Sequence, residues 1–433
     1  MTIGLFFGGV SPEHEVSVIT TLQAAAALGA SGSHRLLPVY ISKDGRWLTG
    51  EHLLDPATYT DLDAALARAR PLTLDPSARG VLVLDEAVPS ARGLFGATAA
   101  PVRHRIDVAF LGFHGGAGES GAFQGLFETV GVAYTGSGVF GSALGMDKVL
   151  SKMVCRDQGI PVVEWVAVRE SEWAGNEEAW LDRIEGEIGL PVVVKPARLG
   201  SSIGITFCRT RAALSLAIEE AIRYDEKVVV ERAVRGLREV NCSVLGDPSE
   251  AVASVLEEPV RSAGESLLTF EEKYLRGGGK GGKGGGADGP AVRYGAKSPR
   301  QRAGGAAGGA SGMASLDRLI PAPLPQAQTA EIRALAVRIF QLFECSGVAR
   351  LDFMIETEGE YAGRVVFNEI NTIPGSLSFY LWEPSGVPFD ALTERLVEIA
   401  FARQREARSR VQSFSVNLLS AKSLGGLKGA KGR

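Results

Sequence analysis

Residues 348–371 read VARLDFMIETEGEYAGRVVFNEIN, two apolar runs separated by a short polar stretch. Val348–Ile355 and Val365–Ile370 have the branched and aromatic content of β-strands. Side chains two residues apart on a strand share a face. Arg350 therefore points the same way as Asp352, and Glu369 the same way as Asn371, while Leu351, Phe353 and Ile370 face the other side. Were the two strands neighbours, Asp352, Glu369 and Asn371 would gather into an all-oxygen cluster. Such donors suit a hard divalent cation, in particular Mg²⁺ carrying ATP phosphates. Arg350 beside them can grip a carboxylate or developing phosphate charge with two parallel N–H groups. A structural salt-bridge ladder uses the same residue types, but polar side chains in an otherwise apolar strand pair favour a working site.

Two stretches upstream extend this reading. An apolar run, Val192-Val-Val, delivers Lys195 into the turn Pro-Ala-Arg-Leu-Gly200-Ser-Ser-Ile-Gly204. Glycines let backbone N–H groups approach an anion, Ser201 and Ser202 add donors, and Lys195 adds charge. This is a phosphate-holding design but not a P-loop, since no Gly-Lys-Ser/Thr opens a helix. Val228-Val-Val-Glu231 then ends a strand in a carboxylate, and Glu239 follows a Gly236 turn. Either acid can accept from an adenine amino group or a ribose hydroxyl, and either alone reads equally as an exposed strand-end acid.

Farther out, the N-terminal segment alternates strand and helix signals: strands Ile3–Phe7, Leu36–Ile41 and Ile106–Gly112, with a helix over Val16–Leu28. That order predicts an open parallel sheet of Rossmann-like type in an α/β chain, with ligands beyond the strands' C-terminal ends. We divide the chain into residues 1–140, a central unit 141–227, and a last unit 228–433. The central unit carries helices at Met146–Gln158 and Arg211–Tyr224. From 277 to 312 the sequence is mostly Gly, Ala, Lys and Arg, which reads as a flexible insertion unable to bury enough surface to order itself. Residues 424–433 read as a loose basic end.

The 433 residues carry 45% hydrophobic and 22% charged side chains and a net charge of −4, values of a soluble globular protein with no pull toward nucleic acid. No apolar run approaches the ~18–20 residues of a membrane span. The N-terminus lacks a basic leader, and the four cysteines are scattered without pair or metal spacing, as expected of a cytoplasmic protein.

Taken in order, these motifs resemble the D-alanine–D-alanine ligase family of the ATP-grasp fold. Gly8-Gly-Val-Ser-Pro-Glu-His-Glu-Val-Ser17 is similar to the family's N-terminal signature. Phe113-His-Gly-Gly-Ala-Gly-Glu-Ser-Gly-Ala-Phe-Gln-Gly125 is similar to its second loop, and Tyr134–Gly138 through Met146-Asp-Lys148 to its third. Val194-Lys-Pro196 with Gly200–Gly204, Arg350-Leu-Asp352 and Asn368-Glu-Ile-Asn-Thr-Ile-Pro-Gly375 complete the set. The resemblance implies two α+β units clasping ATP, Lys148, Lys195 and Lys273 on its phosphates with Ser201 and Ser202, and Glu231 and Glu239 on adenine and ribose. It implies Asp352, Glu369 and Asn371 on Mg²⁺ (or Mn²⁺), two ions per site. Glu15 would pair with the ammonium of the first D-alanine, positioned by Ser201 and Tyr274, with His114 near its carboxylate. Arg350, with backbone N–H groups near Gly375, would stabilise the tetrahedral intermediate. The product implied is D-alanyl-D-alanine for peptidoglycan synthesis, made by a homodimer acting on small molecules, without nucleic acid or membrane.

The chain departs from the family in three places. Tyr380, followed by Leu381, stands where a small serine is expected to help hold the second substrate's carboxylate, leaving Ser376 or Ser378 as alternative hydroxyls. Glu119-Ser120 carries one acid where the family has two. The 277–312 insertion follows a lid segment that includes Lys273-Tyr274. Two other readings stay open: an ATP-grasp ligase with a different second substrate (D-serine, D-lactate or another amino acid), and a nucleotide-binding relative without catalysis. A dinucleotide-dependent oxidoreductase is disfavoured because Gly8-Gly-Val-Ser-Pro-Glu13 lacks G-x-G-x-x-G spacing.

Overall fold

The computed structural model describes residues 1–87, 100–260, 318–411 and 413. Lys273, Tyr274, the 277–312 stretch and residues 424–433 lie outside the described residues.

Three sheets organise the chain. The first has the order β6-β5-β4-β3-β2-β1-β7-β8. Its strands are β1 (Thr2–Gly8), β2 (Arg35–Ile41), β3 (Trp47–Thr49), β4 (Arg70–Asp75), β5 (Leu82–Glu86), β6 (Val102–Ile106), β7 (Val108–Leu111) and β8 (Ala133–Tyr134). β1 pairs in parallel with β2 and β7, and β7 with β8, as the βαβ reading predicts. From β2 through β6 the pairing is antiparallel, so the sheet is mixed rather than wholly parallel. The run expected as one strand over Ile106–Gly112 breaks at Asp107, whose carboxylate accepts from Thr2 N at 2.8 Å, into β6 and β7.

The second sheet, β11-β10-β12-β9, uses β9 (Trp165–Arg169), β10 (Val192–Pro196), β11 (Thr206–Cys208) and β12 (Lys227–Arg232), all antiparallel. β12 lies inside this sheet, so Val228–Glu231 goes with the central unit instead of opening the last one. The third sheet, β15-β14-β13-β16-β17, is antiparallel and uses β13 (Arg238–Gly246), β14 (Ala251–Pro259), β15 (Arg318–Leu319), β16 (Gly347–Ile355) and β17 (Val365–Asn371).

Each sheet buries an apolar face against helices. Ile3, Leu5, Val108 and Phe110 share one face at the first sheet's centre and belong to the same buried core as Leu28 and Phe127. The C-terminal helix Phe389–Ser409 returns to this same core through Leu392, Leu396 and Val397. Each such fully buried side chain contributes about 1.5–3 kcal/mol. Ile339 and Phe340 of helix Gln326–Leu342 cover the back of the third sheet, leaving its other face to the polar side chains of β13, β16 and β17. All four cysteines are buried and unpaired. Among the described residues no helix is long and apolar enough to cross a membrane.

Candidate active site

β16 and β17 are neighbours, in the register that pairs Arg350 with Asn371 and Asp352 with Glu369. The polar face inferred from strand alternation therefore exists. Arg350 Nε and Nη2 donate to Asp352 Oδ1 and Oδ2, both at 2.7 Å, and Asn371 Nδ2 donates to Asp352 Oδ2 at 3.3 Å. Arg350 is buried, which works against its charge, but Asp352, then Tyr380 and Glu257, hold its pKa well above the ordinary value. Two carboxylates and one amide oxygen are a donor set for a hard cation that keeps water and phosphate oxygens as its other ligands. Among the described residues no cluster of three or more His, Cys, Asp or Glu side chains offers a rival metal centre.

Lysines meet this face from the central unit. Asp147 caps the helix Lys148–Asp157, accepting from Val149 N at 3.0 Å and Leu150 N at 3.1 Å. The cap fixes Lys148 at the first turn, with Nζ 3.1 Å from Glu369 Oε2 and donating to Leu199 O at 2.7 Å. Lys195, on β10, sits 2.7 Å from Glu231 Oε2 and donates to Asn368 Oδ1 at 3.0 Å. Lys152 was not singled out from sequence, yet it is fully buried 3.1 Å from Glu231 Oε1. Its signal was available: it lies one helical turn beyond Lys148, on the same face. Burial works against the Glu231 charge, but Lys152 and Lys195 outweigh it and lower its pKa. Glu231 is thus not an exposed strand end. Glu239 is half-buried at the start of β13.

The largest correction falls at the N-terminal loop. Glu15 is exposed and ion-paired with Lys43, away from the cleft. Glu13 is the buried acid, and it accepts a hydrogen bond from Ser201 Oγ. The cause is local. The helix begins at His14, so Glu13 precedes the first turn and lies over the sheet's C-terminal edge, whereas Glu15 turns outward. His14 between them is held by Gly9 O at 2.7 Å and Tyr40 Oη at 2.8 Å. The glycines around Glu13 are sterically required: a Cβ on Gly115 would meet Glu13 Oε2 at 2.6 Å, and one on Gly200 would meet it at 2.9 Å.

His114 and Glu119 close the far wall. His114 Nε2 is 2.8 Å from Thr20 Oγ1, and burial, helped by the Arg350 charge, pushes its pKa down to about 3. It is neutral at physiological pH. Glu119 accepts from Gly115 N at 2.9 Å and Ile373 N at 3.3 Å, tying the loop after β7 to the segment that follows β17. Burial and the Glu13 charge raise its pKa to about 7. Glu13, His114, Glu119, Lys148, Ser201, Arg350, Glu369, Asn371 and Gly375 line one cleft of about 600 Å³, counted to its open mouth.

The Gly375–Leu381 segment behaves differently from expectation. Ser376, Leu377 and Ser378 all take left-handed φ of 52° to 53°. The Ser376 amide donates to Thr20 Oγ1 at 3.0 Å, and the Ser376 and Ser378 hydroxyls are buried with no partner among the described atoms. Tyr380 turns its hydroxyl to Glu257 Oε1 at 3.3 Å, and Leu381 is buried against Val255 and Ile320. Of the Gly375–Leu381 segment only Gly375 lines the cleft.

The sequence was compared with known proteins. A family model described as the D-ala D-ala ligase N-terminus matches residues 2–137, and one described as the D-ala D-ala ligase C-terminus matches 154–282 and 311–398. The D-alanine–D-alanine ligase of Thermosipho melanesiensis is 33% identical over 98% of this chain and 99% of the relative. That of Streptomyces griseus is 35% identical over 94% of each. Among solved structures, a D-alanine–D-alanine ligase from Coxiella burnetii superposes with a TM-score of 0.68 at 27% identity, covering 94% of this chain and 96% of its own. The VanG D-Ala:D-Ser ligase from Enterococcus faecalis gives 0.67 at 27% identity, covering 92% and 99%.

Proposed function

The chain belongs to the D-alanine–D-alanine ligase family, and from that premise we propose that it joins two D-alanines at the expense of ATP, within the ATP-grasp fold, for peptidoglycan synthesis. The observation that carries this is the single cleft in which the Glu13–Ser201 pair faces Arg350, Lys148 and the Glu369–Asn371 strand end. In the proposed reaction the first substrate's carboxylate attacks the γ-phosphorus of ATP, giving an acyl phosphate and ADP. The amine of the second substrate then attacks the acyl carbon, and phosphate leaves. Glu13 holds the first ammonium, a role assigned to it in place of Glu15. Neutral His114 lies beside the reacting carboxylate without adding charge. Lys148 and Lys195 offset phosphate charge, and Arg350 receives charge developing on the carbonyl oxygen. Asp352, Glu369 and Asn371 would hold two divalent ions, which when bound neutralise charge on the transferring phosphoryl group.

As part of the same reading, the enzyme works in the cytoplasm as a homodimer, needing neither nucleic acid nor membrane. Phosphate release from Mg-ATP, measured with D-alanine, L-alanine, D-serine and D-lactate, tests it. Release confined to D-alanine with a D-Ala-D-Ala mass is the expected result; no release with any of them, despite ATP binding, overturns it. A second reading, with another acceptor such as D-serine, is favoured by one observation: the Tyr380 hydroxyl is engaged with Glu257 and does not line the cleft. The same assay separates the two.

A further inference from the structure

Glu231 is a buried carboxylate with two cations on it. The register of β10 and β12 sets Val193 opposite Glu231 and Lys195 opposite Val229, so Lys195 and Glu231 are diagonal neighbours on one face. Lys195 Nζ lies 2.7 Å from Glu231 Oε2. The second cation comes from the helix Lys148–Asp157, which places Lys152 Nζ 3.1 Å from Glu231 Oε1. Both ammonium groups reach β17 at the same residue: Lys195 donates to Asn368 Oδ1 at 3.0 Å and Lys152 to Asn368 O at 3.1 Å. Lys152 is wholly buried, and Glu231 and Lys195 nearly so. Among the described residues no other cation pairs with Glu231.

Two ammonium groups against one carboxylate leave one positive charge where water screens it little. Burial lowers the pKa of Lys152, but the Glu231 charge raises it and keeps the ammonium paired. Burying an ammonium is costly, and an apolar side chain of similar length would fill the same space without that cost. The charge of Lys152 therefore calls for a use. Lys195, assigned to the phosphates, supplies one. A carboxylate at 2.7 Å cancels most of the field that a phosphate oxygen would feel from the Lys195 ammonium. With Lys195 as its single partner, Glu231 would form a neutral pair, and drawing the ammonium toward a phosphate would strip a buried carboxylate of its counter-charge. Lys152 answers Glu231 from the other oxygen, so the Lys195 charge is left over. Lys148 cannot take this part, because its own ammonium is paired with Glu369 at 3.1 Å.

We infer that Lys152 is a positioning residue for phosphate binding: it neutralises Glu231 and thereby leaves the charge of Lys195 to the phosphates of the nucleotide. The inference deepens the ATP-dependent reading and rests on it.

Titration calorimetry with Mg-ATP, and with adenosine as a probe that has base and ribose but no phosphate, tests it. Lys152→Met weakens Mg-ATP roughly tenfold to a hundredfold, the loss of one charge-assisted contact, and leaves adenosine unchanged. Lys152→Gln, which keeps a donor for Asn368 O but carries no charge, loses as much as Lys152→Met. The deciding comparison is a double-mutant cycle. In a Glu231→Gln background no carboxylate holds Lys195, so adding Lys152→Met costs far less Mg-ATP affinity than it does in the wild type. An equal loss in both backgrounds overturns the inference and makes Lys152 a space-filling side chain. A parallel loss of adenosine binding overturns it too, as does full affinity in Lys152→Gln, which would make the donor to Asn368 the working part. Where Lys152→Met fails to fold by circular dichroism, Lys152→Gln takes its place in the same cycle. A wild type that binds no Mg-ATP removes the nucleotide reading and the inference together, whereas Mg-ATP binding indifferent to residue 152 removes the inference alone.

Discussion

At the scale of single residues, a charge acts only where the chain sets it down, and Glu13 and Glu15 are set down on opposite sides of one helix start. Glu13→Gln keeps the hydrogen bond to Ser201 but removes the charge that faces a substrate ammonium. The KM for the first D-alanine should rise roughly tenfold to a hundredfold, the loss of one charge-assisted bond. Glu15→Gln, losing only an exposed pair with Lys43, should leave it unchanged. Steady-state phosphate release on both variants checks this, and the reverse pattern would restore Glu15. His114 gives a pH prediction. Its pKa falls from 6.5 to about 3 on folding, so the neutral ring's contribution is fully present above pH 6.5 and is lost as pH drops toward 3. Between pH 6.5 and 5 the wild type should lose about 2 kcal/mol that His114→Gln does not, from 1.36 kcal/mol per pH unit. Urea denaturation of both proteins at pH 7.5 and 5 reads the difference. Residue types at this site were legible in the sequence because strand alternation is rigid: Arg350, Asp352, Glu369 and Asn371 share a face as period two requires. Which of two nearby acids enters the cleft depended on where the helix starts, and a shift of two residues there exchanges inside for outside.

Among elements, the helix His14–Gly29, the loop carrying His114 and the left-handed turn at 376–378 meet at one hydroxyl. Thr20 Oγ1 is shared by His114 Nε2 and the Ser376 amide. Thr20→Val preserves shape but leaves both buried partners unsatisfied, at about 1–3 kcal/mol each. Its stability to urea should fall accordingly, by about 2–6 kcal/mol in total; a loss under about 1 kcal/mol would mean that the turn holds itself. That loss of the turn would also explain any fall in turnover, since three consecutive left-handed residues persist only where their surroundings hold them. The central strands were readable because both faces are buried and the sequence is a continuous apolar run, as in Ile3–Phe7. β3 to β6 were not. In Arg70–Asp75 only Leu72 is buried, so the strand carries Arg, Pro, Thr and Asp and has no apolar run to betray it. Its identity comes from pairing with β5, a tertiary cause that no local pattern records.

The molecule as a whole is closed by contacts between its ends, since the last described helix packs on the first sheet. Arg403 donates to Tyr134 O at 2.9 Å and stacks 4.0 Å over that ring. At one edge of the third sheet Pro259 and Arg318 are paired with each other across β14 and β15. The family model matches residues 154–282 and 311–398 and leaves 283–310 unmatched. Removing residues 283–310 roughly halves the connection, and loop-closure entropy then changes by only about 0.6 kcal/mol. The β14–β15 pairing is made by Glu258, Pro259, Arg318 and Leu319, outside the excised stretch. The shortened protein should therefore melt at or slightly above the wild-type temperature and release phosphate with unchanged KM for ATP. Calorimetry and the phosphate assay together distinguish the outcomes. Lost activity with unchanged melting would give the excised residues a part in turnover, and lowered melting would make them part of the folded body.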